Sequence, residues 1–77
     1  MVLSELDRGS VVPLFYQIRQ HLLEQIRTGL LKPGQPIPSE QEISEQLSVS
    51  RMTARQAVKS LCDEGLVYSE RGKGTFV

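Results

Sequence analysis

The sequence predicts a small, mainly helical fold of the α+β class: three helices, a short strand and a C-terminal β-hairpin. Three observations predict it. Apolar residues recur at helical spacing in three segments, serines stand where two of these helices would begin, and the C-terminal segment changes to short β-prone runs around a glycine-containing turn. The chain has 77 residues, of which 39% are hydrophobic, which allows one compact core and no second one.

The first helix is predicted over residues 13–28. Its apolar residues lie three and four positions apart, which places them on one face. They are Phe15, Ile18, Leu22 and Ile26. Pro13 suits the first turn, because its missing N–H is not needed there, and Gly29 suits the position just past the end. Residues 1–10 show no periodicity and are expected to form a flexible arm, which leaves residues 11–77 as the domain.

A turn, a short strand and a second helix are predicted next. Residues 32–35 (Lys-Pro-Gly-Gln) fit a type II turn, because proline presets φ at its second position and glycine supplies a positive φ at its third. Residues 36–38 (Pro-Ile-Pro) cannot lie inside a helix and are expected as a short extended piece at a sheet edge. Ser39 and Glu42 have the spacing of a capping box, which predicts a helix over residues 40–47.

The third helix and the hairpin complete the predicted fold. Ser50 is the expected N-cap of a helix over residues 51–64, and its closeness to the second helix makes the pair a helix-turn-helix. Residues 66–69 and 75–77 are β-prone and flank a turn at 71–74, which predicts a hairpin. A trailing hairpin makes the predicted fold a winged helix-turn-helix.

The charges are sorted along the chain. Nine basic and nine acidic residues give a net charge of zero, which by itself counts against nucleic-acid binding. Residues 50–61, however, contain three cations and no acid, whereas residues 39–47 contain three acids and no base. A neutral protein of this kind can present one basic face. For the three acids we prefer a role in capping the second helix and stabilising its dipole.

The third helix has two distinct faces when its residues are placed at 100° intervals. One arc is apolar and is expected to face the core. It holds Ala54, Ala57, Val58 and Leu61. The other arc is basic and rich in hydrogen-bond donors. It holds Arg51, Met52, Arg55, Gln56 and Lys59. A helix with such an arc fits the major groove of B-DNA, which is about 12 Å wide.

Each residue type on this helix has a chemical role on DNA. Arginine offers a bidentate fork to the N7 and O6 of guanine. Ser50 and Thr53, at the helix start, can donate to phosphate oxygens, as can the free N–H groups of the first turn. Gln56 can contact adenine or a phosphate, and Met52 can pack on a thymine methyl group or on sugar.

The turn of the hairpin carries a second cationic group. Arg71, Gly72 and Lys73 place two cations on a turn of little bulk, which can lie in an adjacent minor groove. The pair of glycines at 72 and 74 is too weak a pattern for a phosphate-binding loop, since no helix follows it.

Other functional classes find little support. The single cysteine, Cys62, excludes an internal disulfide and is expected to pack as a small hydrophobe; with the single histidine, His21, it cannot supply four zinc ligands. No nucleophile–base pair or cofactor loop occurs, so neither an enzyme nor a bound cofactor is expected. Two alternatives stay open: a basic helix face that is merely solvated, and a winged helix that binds another protein.

Residues 12–77 also closely resemble the N-terminal domain of GntR-family bacterial transcription regulators. The matching motifs are PLFYQI at 13–18, LKPG at 31–34, IPSE at 37–40, VSRMTARQA at 49–57, EGL at 64–66 and GKGTFV at 72–77. The form SRMTAR at 50–55 resembles the HutC-type subfamily.

The resemblance implies how the chain would act. It implies nucleoid-associated regulators that bind palindromic operators in double-stranded DNA as homodimers, most of them repressors. The short apolar runs and the lack of a signal peptide separately predict a cytoplasmic protein without a membrane segment. A C-terminal domain that binds a small-molecule effector and dimerises would follow; we expect it to be absent from this chain, whose own oligomeric state, monomer or dimer, stays open.

The resemblance also implies which residues contact DNA. By position they are Ser50, Arg51, Thr53 and Arg55 on the third helix, Arg71, Gly72 and Lys73 on the wing, and Ser39 and Gln41 at the start of the second helix. Two positions depart from the family pattern. Gln41 stands where many members have arginine, which leaves a neutral hydrogen bond in place of a charged contact, and Met52 stands where other subfamilies often have threonine.

Overall fold

The structure is a computed structural model that describes residues 6, 8–9 and 11–77. Three helices are followed by a two-stranded antiparallel hairpin. They are α1 (Leu14–Thr28), α2 (Glu40–Leu47), α3 (Arg51–Asp63), β1 (Tyr68–Glu70) and β2 (Gly74–Phe76). The predicted fold class, mainly helical with a C-terminal hairpin wing, is therefore confirmed.

The predicted N-terminal arm falls mostly on residues 1–5, 7 and 10, which lie outside the described residues. The described residues of this segment contact the domain. Leu6 is buried in the hydrophobic core, and the Arg8 guanidinium donates to the carbonyl oxygens of Leu47 and Ser48 at the end of α2.

Local hydrogen bonds set both ends of α2. Ser39 Oγ accepts from the backbone N–H of Glu42 at 3.0 Å, and the Ser39 N–H donates to Glu42 Oε1 at 3.1 Å. The predicted capping box is thus present. The helix ends at Ser48, which has a left-handed conformation with φ 53° and ψ 48° and turns the chain toward α3.

Helix α3 starts where predicted and ends one residue earlier. Ser50 Oγ accepts from the Thr53 N–H at 3.1 Å. At the other end, Gly65, with φ 76°, donates to the Cys62 carbonyl, and Leu66 donates to the Leu61 carbonyl, both at 3.0 Å. This pair of bonds is a Schellman motif. Because the Leu66 N–H is used in this motif, it is not available to pair with another strand. This explains why β1 begins at Tyr68, later than the start of the predicted strand at residues 66–69.

The predicted strand at residues 36–38 is reduced to a single bridge between Pro36 and Phe76. The physical reason is the pair of prolines, which leaves Ile37 as the only N–H donor of this segment. That N–H donates to the Thr75 carbonyl at 2.9 Å. Before it, the Val77 N–H donates to the Gln35 carbonyl at 2.9 Å. The segment therefore flanks β2 and ties the hairpin to the stretch of chain that leads into α2.

The core lies between α1, α2 and α3. The four residues of the predicted apolar arc of α3 are all buried, and Ala54, Ala57 and Leu61 have no exposed surface. Small alanine side chains allow the neighbouring helices to approach α3 closely. Packing of this arc fixes the rotation of α3 and turns the opposite arc outward. Among the described residues, no helix is both long and apolar enough to cross a bilayer.

Candidate nucleic-acid interface

The outward arc of α3 is exposed along its whole length. Its five members are Arg51, Met52, Arg55, Gln56 and Lys59. Met52 is 78% exposed, so it presents an apolar group at the surface of this arc. The arc therefore offers two guanidinium groups, an ammonium, an amide and an apolar group on one side of a single helix.

The start of α3 adds a hydroxyl pair. Ser50 Oγ and Thr53 Oγ1 lie 2.9 Å apart, so one hydroxyl donates to the other. Ser50 Oγ also accepts from the Thr53 N–H. Since only one hydroxyl proton lies between the two oxygens, the other proton is left to donate to an outside acceptor. Together with the N–H groups of the first helical turn, this proton suits a phosphate oxygen.

A groove of about 590 Å³ separates the wing from the starts of α2 and α3. It brings together six of the residues that the sequence predicts for DNA contact. They are Ser39, Gln41, Arg51, Arg71, Gly72 and Lys73. Arg51, Arg71, Lys73 and the N-terminal end of α2 border one open space, together with the carboxylates of Glu40, Glu42 and Glu70. These carboxylates are engaged by Arg55, the Ser39 N–H and Lys73, so Arg51, Arg71 and the helix N-terminus are the groups left to attract an anion.

The other predicted site residues lie outside this groove. Ser50, Met52, Thr53, Arg55 and Gln56 are not among its lining residues, and they continue the surface along α3. Thr53 is half-buried, whereas the other four are exposed. The structure thus divides the predicted set into a groove between wing and helices and a helix face beside it.

Several lining residues of the groove were not predicted from the sequence. Ser69 and Thr75 come from the paired strands of the wing, and residues 36–38, which flank β2, line the groove as well. The available signal was their sequence position next to predicted site residues. Their hydroxyl groups add hydrogen-bond donors that the motif pattern did not include.

The acids of α2 have individual partners. Glu42 completes the capping box, as predicted. Glu45 Oε1 accepts from Gln41 Nε2 at 3.1 Å, and Glu40 Oε1 accepts from Arg55 Nε at 3.2 Å. The contact between Glu40 and Arg55 joins α2 to α3 across the site, and the sequence pattern did not predict it.

Groups that were candidates for other chemistry lie apart from this surface. Burial and, second, the negative charge of Asp63 raise the pKa of the Cys62 thiol, and Cys62 packs against the core. In the described part of the chain, no group of three or more His, Cys, Asp and Glu residues could hold a metal ion.

Two side chains of α1 have different surroundings. Leu23 packs on the core, whereas Tyr16 is 43% exposed with the Arg19 guanidinium 5.7 Å from its ring centre.

Known proteins resemble this chain in both sequence and fold. It is 49% identical over 72 residues to the HTH-type transcriptional repressor NagR of Bacillus subtilis, covering 94% of this chain and 30% of that protein. It is 38% identical over 74 residues to the histidine utilization repressor of Klebsiella aerogenes, covering 96% of this chain and 31% of that protein. The chain thus spans about a third or less of these relatives.

Two solved structures show the same architecture. YtrA from Sulfolobus acidocaldarius, a GntR-family transcription factor, superposes with a TM-score of 0.91 at 32% identity, over 99% of this chain and 80% of that one. The AraR DNA-binding domain in complex with operator ORX1 superposes with a TM-score of 0.82 at 35% identity, over 100% of this chain and 92% of that one.

A family model completes the comparison. The model described as "Bacterial regulatory proteins, gntR family" matches residues 14–77, which include every element from α1 to β2. With its winged helix-turn-helix fold and its relatives among transcriptional repressors, the chain belongs to the gntR family of bacterial regulatory proteins.

Proposed function

We propose that this chain binds an operator in double-stranded DNA, with α3 in the major groove and the wing against the neighbouring backbone or minor groove. The observation that carries the proposal is the continuity of one surface. The exposed arc of α3 and the groove at its N-terminal end share Arg51, so a single DNA duplex can contact both. The similarity to the AraR DNA-binding domain, whose structure is a complex with an operator, supports DNA binding by this fold.

On this surface the side chains divide by what they contact. Arg51 and Arg55 are the candidates for guanine, because a guanidinium can donate two hydrogen bonds to N7 and O6. Gln56 can contact adenine or a phosphate, and Met52 can cover a thymine methyl group. Base preference is therefore assigned to the middle and start of α3.

The groove is assigned to the phosphate backbone. Arg71 and Lys73 are exposed on the wing turn, and Ser39 caps the helix whose N-terminal end borders the same space. Cations and helix N-termini that contact phosphates fix the orientation of the protein on the duplex without reading its sequence. Gln41 Nε2 donates one hydrogen bond to Glu45 Oε1, which leaves its second N–H and its Oε1 for a contact with DNA.

We infer further that the chain acts as the DNA-binding part of a metabolite-responsive repressor that dimerises on a palindrome. Relatives named as repressors of histidine utilization and of arabinose metabolism support this. A dimer gains affinity because its second half-site contact is effectively intramolecular. A single copy of this chain should accordingly bind one half-site weakly.

Selection of binding sites from random duplexes, using this chain, tests the proposal. We expect a short enriched half-site that contains guanine, with an affinity that falls steeply as salt rises. Enrichment of no sequence, together with an affinity for duplex DNA that does not depend on salt, would refute operator binding. That result would favour the alternative of a winged helix that binds another protein.

A further inference from the structure

The two arginines of the α3 arc differ in how they are held. Arg55 Nε donates to Glu40 Oε1 at 3.2 Å, although the side chain of Arg55 is 74% exposed. In the described part of the chain, Arg51 has no hydrogen bond or ion pair through its side chain. One guanidinium is therefore oriented by a protein contact before any DNA arrives, and the other is not.

The contact uses only one edge of the Arg55 guanidinium. Nε is occupied, while within the described residues Nη1 and Nη2 have no partner. These two groups form the end of the fork, which can donate two parallel hydrogen bonds to one acceptor pair. The partner is well anchored, because Glu40 is the first residue of α2 and stands beside the capping box of Ser39 and Glu42.

A contribution to folding explains this contact poorly. Arg55 is exposed and Glu40 is half-buried, so solvent screens the pair and it contributes little to stability. A carboxylate beside a DNA-binding face also repels phosphates. A contact that is nearly neutral for folding and unfavourable for general DNA affinity needs a benefit elsewhere. Orientation of the Arg55 fork supplies one, since it lowers the entropy lost when that side chain engages a base.

We propose that Glu40 is a positioning residue for base recognition: it holds Arg55 through Nε and presents Nη1 and Nη2 as a fork for the N7 and O6 of one guanine. The proposal rests on the proposed operator binding by α3. It assigns specificity at one base pair to an acid in a different helix, which itself contacts no base.

The test compares Glu40→Ala with Glu45→Ala, which removes the same charge from the same helix but frees Gln41 instead of Arg55. The selected half-site, the same site with each guanine replaced in turn, and an unrelated duplex are measured with each variant. We expect Glu40→Ala to reduce discrimination at one guanine roughly threefold to tenfold and to leave the unrelated duplex bound equally or more tightly. Glu45→Ala should leave that discrimination unchanged.

Double-mutant cycles assign the effect to Arg55. Glu40→Ala and Arg55→Ala should be non-additive at that guanine, whereas Glu40→Ala and Arg51→Ala should add. Equal tightening on every duplex of the panel, with discrimination kept, would show that Glu40 only repels phosphate. Full additivity with Arg55→Ala would likewise overturn the proposal.

Two further variants guard against unfolding. Glu40→Gln keeps an acceptor oxygen and should keep most of the discrimination, whereas Glu40→Met keeps the length without an acceptor and should lose it. In the DNA-free protein, the NMR signal of Arg55 Nε–H should exchange with solvent more slowly in the wild type than in Glu40→Met. Equal exchange rates of this proton in the wild type and in Glu40→Met would overturn the positioning role, whether or not the chain binds an operator. Slow exchange in the wild type of a chain that binds no duplex would refute the proposed function and leave the contact with Glu40 intact.

Discussion

Arg19 joins α1 to the last turn of α3, and its replacement by alanine should destabilise the domain. Its side chain is only 11% exposed. The guanidinium pairs with Glu64, and Nε donates to Ser60 Oγ at 3.1 Å. Hydrogen bonds of charged groups contribute about 1.5–3 kcal/mol, and the buried stem adds packing. Because Glu64 stays half-exposed and can be solvated, we expect a loss of about 2 kcal/mol in the free energy of unfolding.

Urea unfolding followed by circular dichroism measures this loss, and Arg27→Ala is the matched control. Arg27 lies on the same helix and pairs with Glu24 at 3.6 Å, but its side chain is 70% exposed, so its removal should cost less than about 0.5 kcal/mol. In a domain of this size 1 kcal/mol corresponds to about 4–8 °C in Tm, so Arg19→Ala should lower the Tm by about 8–16 °C. Equal losses for the two variants would refute the argument that burial sets the value of the pair.

Three other predictions concern conformation, DNA contact and thiol reactivity. Ser48→Gly should raise the free energy of unfolding by about 0.5–1 kcal/mol, because Ser48 has a left-handed conformation, while Gly29→Ala at φ 85° should lower it; chemical denaturation checks both signs. In salt titrations, Arg51→Ala should weaken operator binding by about 1–3 kcal/mol and relax base preference, whereas Lys73→Ala should weaken all sequences alike and reduce the salt slope by about 1. Wild-type binding by both would show that the assigned face is wrong. Because its raised pKa lowers the thiolate fraction, Cys62 should react with iodoacetamide more slowly at pH 8 in the folded chain than in urea, and equal rates would contradict this.

Features that depend on neighbouring residues were predicted from the sequence. The bounds of α2 follow from its capping box at one end and the serine connection at the other, both of which involve residues at most a few positions apart. The apolar arc of α3 follows from helical periodicity, and all of it is buried. The capping box is itself a local contact, and the spacing of apolar residues already fixes which face of α3 is buried, although the free energy of that burial comes from packing against α1 and α2.

Features that depend on distant residues were not predicted. The bridge of Pro36 to Phe76 joins segments that lie far apart in the chain, and the contact of Glu40 with Arg55 spans fifteen positions. Ser60 and Glu64, which bind Arg19, lie more than forty positions away from it. Helical spacing places a side chain on a face, but it does not say which side chain of another element that face will meet.

The zero net charge has a structural explanation that bears on DNA affinity. Most acids of the described chain are matched to a particular group: Glu42 to its own helix start, Glu40 to Arg55, and Glu64 to Arg19. In the same part of the chain, Arg51, Lys59 and Arg71 have no acidic partner within 4.0 Å. Neutralisation is thus local, and it leaves uncompensated cations on the face that α3 and the wing present. Because counterion release depends on the cations that reach phosphates and not on the sum over the chain, a neutral domain can bind DNA with a steep salt dependence.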